Sequence, residues 1–106
     1  MVGISRKYSV LVIEDDPDTA DAFCEHLEIY GIKVLGVGKN GSEAVELYQK
    51  EKPDVVLMDM MMPLFDGLYG LKKIKEIDKN AKVIMVTADF TGETGKELKR
   101  HNASGI

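Results

Sequence analysis

Apolar positions along the chain fall into two alternating rhythms: short, nearly unbroken runs of Val, Ile, Leu and Met, and longer stretches where apolar residues recur every three or four positions. The first rhythm is that of strands buried on both faces, the second that of amphipathic helices. Tyr8 to Ile13 predicts a buried strand. Asp16 and Pro17 then predict a helix start, Asp16 as the N-cap and Pro17 at the first helical position. Ala20, Phe23, Cys24, Leu27 and Tyr30 form its expected inward face, and Gly31 supplies a left-handed stop.

The alternation continues. Ile32 to Val37 predicts a second strand, and Ser42 with Glu43 opens a second helix whose Ala44, Val45, Leu47 and Tyr48 face inward before Pro53 ends the segment. Asp54 to Met58 is the most apolar strand and runs into Asp59. Leu68 to Ile77 predicts a third helix with Leu71 and Ile74 inward, although Gly70 in its interior costs about 1 kcal/mol relative to Ala. Lys82 to Val86 predicts a fourth strand running into Thr87. Thr91 to His101 carries a weaker helical pattern with Gly92 and Gly95, Asn102 can cap it, and Ala103 to Ile106 reads as the start of a fifth strand. Strands alternating with helices over short connections imply a parallel sheet with helices on both faces and right-handed crossovers. Ligands of such sheets sit beyond the carboxyl ends of the strands, where the strand order reverses, so the informative residues are those just after each strand.

With 106 residues, the chain is expected to form a single domain. Its net charge of −4, with Lys residues scattered, gives no basic stripe for nucleic acid. Its apolar runs are too short to span a membrane. The single Cys24 forms no internal disulfide, and no apolar leader opens the chain, which points to the cytoplasm. Cys24 itself reads as a small hydrophobe on a helix face.

Acidic residues end two of the strands: Glu14, Asp15 and Asp16 follow the first, and Asp59 follows the third. If those strands are neighbours, three or four carboxylates converge in one cleft, an arrangement that raises carboxylate pKa values unless a cation is bound. All-oxygen donors suit Mg2+. A metal beside a carboxylate on a rigid strand suggests phosphoryl transfer onto that carboxylate, with Asp59 as nucleophile and Glu14 and Asp15 holding the metal. Thr87 offers a hydroxyl at the end of the fourth strand. Asp16 is read as a plain N-cap. Met58, Met60, Met61 and Met62 read as gap-filling packing rather than a soft-metal site, His26 and His101 as surface or cap residues, and Lys72, Lys73 and Lys75 as a solvated helix face.

The motifs resemble the receiver domain of two-component response regulators. Val10-Leu11-Val12-Ile13-Glu14-Asp15-Asp16 resembles that family's first strand and acidic pair. Leu57-Met58-Asp59-Met60-Met61-Met62-Pro63 with Asp66-Gly67 resembles its phosphoacceptor segment, and Ile84-Met85-Val86-Thr87-Ala88 resembles the strand bearing its switch hydroxyl. The resemblance runs from about Tyr8 to Ile106 and implies a flavodoxin-like doubly wound α/β fold with strand order 2-1-3-4-5, an order for which a member of this family is a standard example. It implies a signalling domain rather than an enzyme: Asp59 accepts a phosphoryl group from a sensor histidine kinase, Asp15 ligates Mg2+ directly, Glu14 acts through water, and Met61 contributes its backbone carbonyl. Thr87 moves toward the phosphoryl group and shifts the domain to an active state read by an effector or output domain.

Two departures accompany the resemblance. Ile106 stands where the family usually has an aromatic switch residue, and the sequence given stops before the Lys that normally follows Asn102-Ala103-Ser104-Gly105-Ile106. Taken as it stands, the chain is expected to be a single receiver domain over residues 1–106, motif-bearing from residue 8, with its fifth strand incomplete and its fifth helix absent. Apolar side chains on the helix-facing side of the first strand are then expected to lose cover, which a homodimer would supply. A phosphorylation-independent interaction module of the same fold is the alternative reading. A flavin-binding electron carrier of the same topology is disfavoured, because the turn after the first strand is acidic where a phosphate-bearing cofactor needs backbone donors.

Overall fold

The computed structural model describes residues 8–60 and 67–86. Seven elements alternate along them: β1 (Ser9–Ile13), α1 (Pro17–Ile29), β2 (Lys33–Gly38), α2 (Gly41–Glu51), β3 (Val55–Asp59), α3 (Gly67–Ile77) and β4 (Val83–Val86). Each lies within about one residue of its expected bounds. The expected helix over Thr91 to His101, the Asn102 cap and the fifth strand fall outside the described residues.

All strand pairs are parallel, in the spatial order β2-β1-β3-β4. The chain steps from β1 to β2 in one direction and crosses back to β3 on the other side of β1, so the order reverses between β1 and β3. Their register is pinned at the far end from that reversal by Asp54. Its carboxylate accepts from the Ser9 amide at 2.8 Å and the Ser9 hydroxyl at 3.0 Å, and its own amide donates to the Ser9 hydroxyl at 3.0 Å. With the bottom held, Ile13 pairs with Met58 at the top. The next residues up the two strands are Glu14 and Asp59.

Strand periodicity sorts the side chains into two layers. Leu11, Ile13, Val56, Met58, Val83 and Met85 point into a core closed by Ala44 and Tyr48 of α2 and by Leu71 and Ile74 of α3. Val10 and Val12 alternate with these and lie under α1, both buried. Loss of cover along β1 is therefore not observed. The exposed apolar residues on this side include Tyr8 and Ile84, the latter 38% exposed; they border a hollow also lined by buried Val10 and half-buried Leu27, Ile32, Val55 and Leu57.

Helix ends follow local chemistry. Asp16 caps α1 by accepting from the Thr19 amide at 3.0 Å, and Gly31 has the expected positive φ of 77°. α2 starts at Gly41, one residue before Ser42, and its N-cap is Asn40: the Asn40 side chain accepts from the Glu43 amide at 2.9 Å, and the Glu43 carboxylate accepts from the Lys39 amide at 2.9 Å. Tyr30 does not belong to the buried face of α1. It follows the helix as its C-cap and is 71% exposed, with the His26 ring edge-on at 5.2 Å. Lys75 is no part of a wholly solvated face either, because it is half-buried and its ammonium donates to the Ala81 carbonyl at 2.6 Å.

Candidate functional site

The register of β1 against β3 carries two acidic strand ends to one point. Carboxylate oxygens of Glu14, Asp15 and Asp59 all lie within 4.8 Å of one another. This is the convergence that strand order 2-1-3 requires, and it sits at the reversal point of the sheet. Asp16 does not join it, since its carboxylate is committed to both the amide and the hydroxyl of Thr19, which hold it below the usual carboxylate range. The convergent set is thus three carboxylates, with the fourth serving the helix.

Glu14 is the least accessible of the three, at 7% exposed, whereas Asp15 and Asp59 are half-buried. Its backbone extends the sheet by donating to the Gly38 carbonyl at 2.9 Å, and its side chain accepts from the Asp16 amide at 3.1 Å. Burial pushes the Glu14 carboxyl up to about 7; hydrogen bonding with Asp15 and the charge of Asp59 push the same way, and the Asp16 amide opposes them. A carboxyl raised first by burial and further by two neighbouring carboxyls marks a site short of positive charge. Three oxygen donors on two strand ends, open enough for water, match what a hard divalent cation takes from protein. The donor set therefore fits a metal such as Mg2+.

Asp59 is held from below and from the side. Met60 continues the ladder by donating its amide to the Val86 carbonyl at 2.9 Å, and the Gly67 amide at the start of α3 donates to the Met60 carbonyl at 3.2 Å. Gly67 sits so close to this segment that a Cβ there would overlap the Asp59 carbonyl and lie 2.8 Å from the Met60 Cα. The periodicity of the chain registers Gly70 only as a weak helix position, and Gly67 enters only through the Asp66-Gly67 motif; their closeness to β3 depends on the depth at which α3 sits on the sheet, and glycine inside a helical run is the one periodic signal of it. Of the other residues singled out from sequence, Met61 and Thr87 lie outside the described residues, as do Ile106 and His101.

A family model described as the response regulator receiver domain matches residues 10–106. The chain belongs to the response regulator receiver family. It is 37% identical over 81 residues to the chemotaxis protein CheY of Bacillus subtilis, a match covering 76% of this chain and 68% of that protein. It is 34% identical over 99 residues to the probable C4-dicarboxylate response regulator DctR of Priestia megaterium, covering 92% of this chain but 43% of that regulator. Among solved structures, CheY in the CheX-CheY-BeF3-Mg2+ complex from Borrelia burgdorferi superposes with a TM-score of 0.89 at 30% identity, covering 93% of this chain and 76% of that one. Receiver domains are signalling domains that work between histidine kinases and output or effector partners, which favours a signalling role over a phosphorylation-independent module. In the receiver described here, no helix among the described residues is long and apolar enough to cross a membrane.

Proposed function

We propose that this receiver is a phosphorylation switch whose acceptor is Asp59, and that it works in the cytoplasm between a sensor histidine kinase and an effector protein or output domain. The observation that carries this reading is the meeting of Glu14, Asp15 and Asp59 within 4.8 Å at the reversal point of the sheet. In the step itself, an Asp59 carboxylate oxygen attacks the phosphorus of a phosphohistidine. The P–N bond breaks, its electron pair returns to the imidazole, and Asp59 becomes an acyl phosphate. Glu14, Asp15 and Asp59 would hold a Mg2+ ion, with the Met61 carbonyl completing the protein's share; bound there, the ion would supply positive charge to the attacking carboxylate and the phosphoryl oxygens.

The chain's own residues set up that step. β3 ends on Asp59 with its ladder bonds intact, so the nucleophile stands on a rigid element rather than a loop. Burial pushes Glu14 up to about 7, so near neutrality it would give up a proton to a cation bound beside it. Thr87 is assigned the switch hydroxyl on the strength of the Ile84 to Ala88 motif. In the Borrelia complex the related CheY is accompanied by BeF3 and Mg2+, which supports the same ion here.

The test is incubation with Mg2+ and acetyl phosphate, followed by intact-mass measurement. One added phosphoryl group, absent in Asp59→Asn and absent without Mg2+, is the expected result. No gain, or an equal gain in Asp59→Asn, would overturn the assignment.

A further inference from the structure

α3 lies on the sheet with a glycine notch turned toward it, and two methionines fill the notch. Gly67 and Gly70 stand one turn apart on the same buried face of the helix. A Cβ on Gly70 would lie 2.7 Å from the Sδ and 3.1 Å from the Cε of Met58, and 3.2 Å from the Cα of Gly41, the first residue of α2. A Cβ on Gly67 would lie 2.9 Å from the Cε of Met85. Met58 and Met85 are register partners on β3 and β4, and both are fully buried. The Met58 side chain is therefore flanked by Ile13 and Met85, its register partners on the neighbouring strands, and faced by Gly70.

We propose that Gly70 is a positioning residue for Asp59, acting through Met58; the proposal rests on the reading of Asp59 as the acceptor. Considered as a helix alone, α3 favours Ala over Gly at this position by about 1 kcal/mol. Space for Met58 opposes that preference. The crowded atoms are the sulfur and terminal methyl, the outer half of a flexible side chain, but Met58 is fully buried, so relief requires a new rotamer in a close-packed core or movement of the strand or of the helix itself. Met58 is joined by one peptide unit to Asp59, and a strand displaced at Met58 carries the carboxylate with it. Reaction geometry is sensitive to such displacement, a misplacement of about 1 Å costing as much as roughly 10²-fold in rate.

Three proteins decide the matter: wild type, Gly70→Ala, and Gly70→Ala with Met58→Val, whose side chain has no δ atom to meet the new Cβ. Phosphoryl uptake from acetyl phosphate with Mg2+ is timed by intact mass, and the Asp59 and Asp15 amide resonances are compared by NMR without metal or donor. Gly70→Ala is expected to slow uptake by about tenfold or more and to shift both resonances, and the added Met58→Val to restore most of the rate and return the resonances toward wild type. Unchanged rate and resonances in Gly70→Ala, or a double variant no better than the single, would overturn the proposal. Should Gly70→Ala fail to fold, a double variant that folds and takes up phosphoryl supports it, and one that fails as well overturns it. Should the wild type take up no phosphoryl group, the acceptor reading falls, and the resonances alone decide whether Gly70 sets the position of Asp59.

Discussion

Tyr48 of α2 donates its phenolic hydrogen to the Asp78 carboxylate at 2.8 Å, joining the helix to the turn between α3 and β4. Asp78 in turn accepts from the Asn80 amide at 2.9 Å, so one carboxylate organises both the turn and the helix pair. Burial pushes the Tyr48 hydroxyl up to about 12, and the Asp78 contact adds to the shift. The Tyr48 bond holds Asp78 below the usual carboxylate range.

The sign of each shift gives a pH window. Tyr48 has a folded pKa above its unfolded value, so its contribution is complete below pH 10 and is lost as pH rises from there through about 12. Asp78 has a folded pKa below its unfolded value of 3.8, so its contribution is present above that and is lost as pH falls through the lowered folded value. Tyr48→Phe is expected to lower the melting temperature by a few degrees at pH 7, with the gap to wild type closing above pH 11. A gap that stays constant to pH 12 would show that the ring's packing, not its hydroxyl, accounts for the loss.

Lys75 makes a second tie under α3, its ammonium donating to the carbonyl of buried Ala81 at 2.6 Å. Lys75→Met keeps the aliphatic stem and removes the donor, leaving that carbonyl without this partner. The expected destabilisation is about 1–3 kcal/mol, read from the urea midpoint at unchanged m-value. Lys72→Met, on the exposed face of the same helix, should move the midpoint little.

Much of this was legible in the sequence, for reasons the structure makes concrete. Buried parallel strands need unbroken apolar runs, so β1, β3 and β4 announce themselves. The acidic ends of two of those strands gave Glu14, Asp15 and Asp59 before any pairing was known, and the pairing of Ile13 with Met58 joins them. Tyr30 fits the helical spacing of α1 but falls just past the point where the chain leaves the helix, so periodicity counts inward a residue that faces solvent. Lys75 reads as surface because its charge says nothing of a carbonyl six residues on. Gly70 stood out as a costly helix position, but what it makes room for was not legible, because Met58 and Met85 come from other elements and are fixed only by sheet register.

Glu14 makes the metal-free receiver sensitive to pH. Its folded pKa of about 7 stands above the reference value of 4.5, so stability contributed by the protonated form is complete below 4.5 and is lost as pH rises through 7. From this group alone, wild type should lose on the order of 1 kcal/mol between pH 5 and 8 in chelator, less than the full shift implies because water reaches the site. Glu14→Gln should flatten that dependence and melt higher than wild type at pH 8. Added Mg2+ should raise the wild-type melting temperature at pH 8 more than at pH 5.5, because binding displaces the proton. A wild-type profile as flat as that of Glu14→Gln would remove the basis for the argument.

Asp59→Asn separates the charge of the site from its chemistry. Burial is the largest cause of the Glu14 shift and survives the substitution, whereas the charge and hydrogen bond of Asp59 do not survive in their present form. The Glu14 midpoint, followed through its side-chain carboxyl carbon by NMR in chelator, should fall below about 7 yet stay above 4.5. With one of three crowded carboxylates neutral, metal-free Asp59→Asn should melt above wild type at pH 8 while accepting no phosphoryl group. Mg2+ should then stabilise it less than it stabilises wild type, since one donor has lost its charge. A midpoint unchanged from wild type would mean that Glu14 answers to burial and Asp15 alone, and that Asp59 stands electrically apart from the acidic pair.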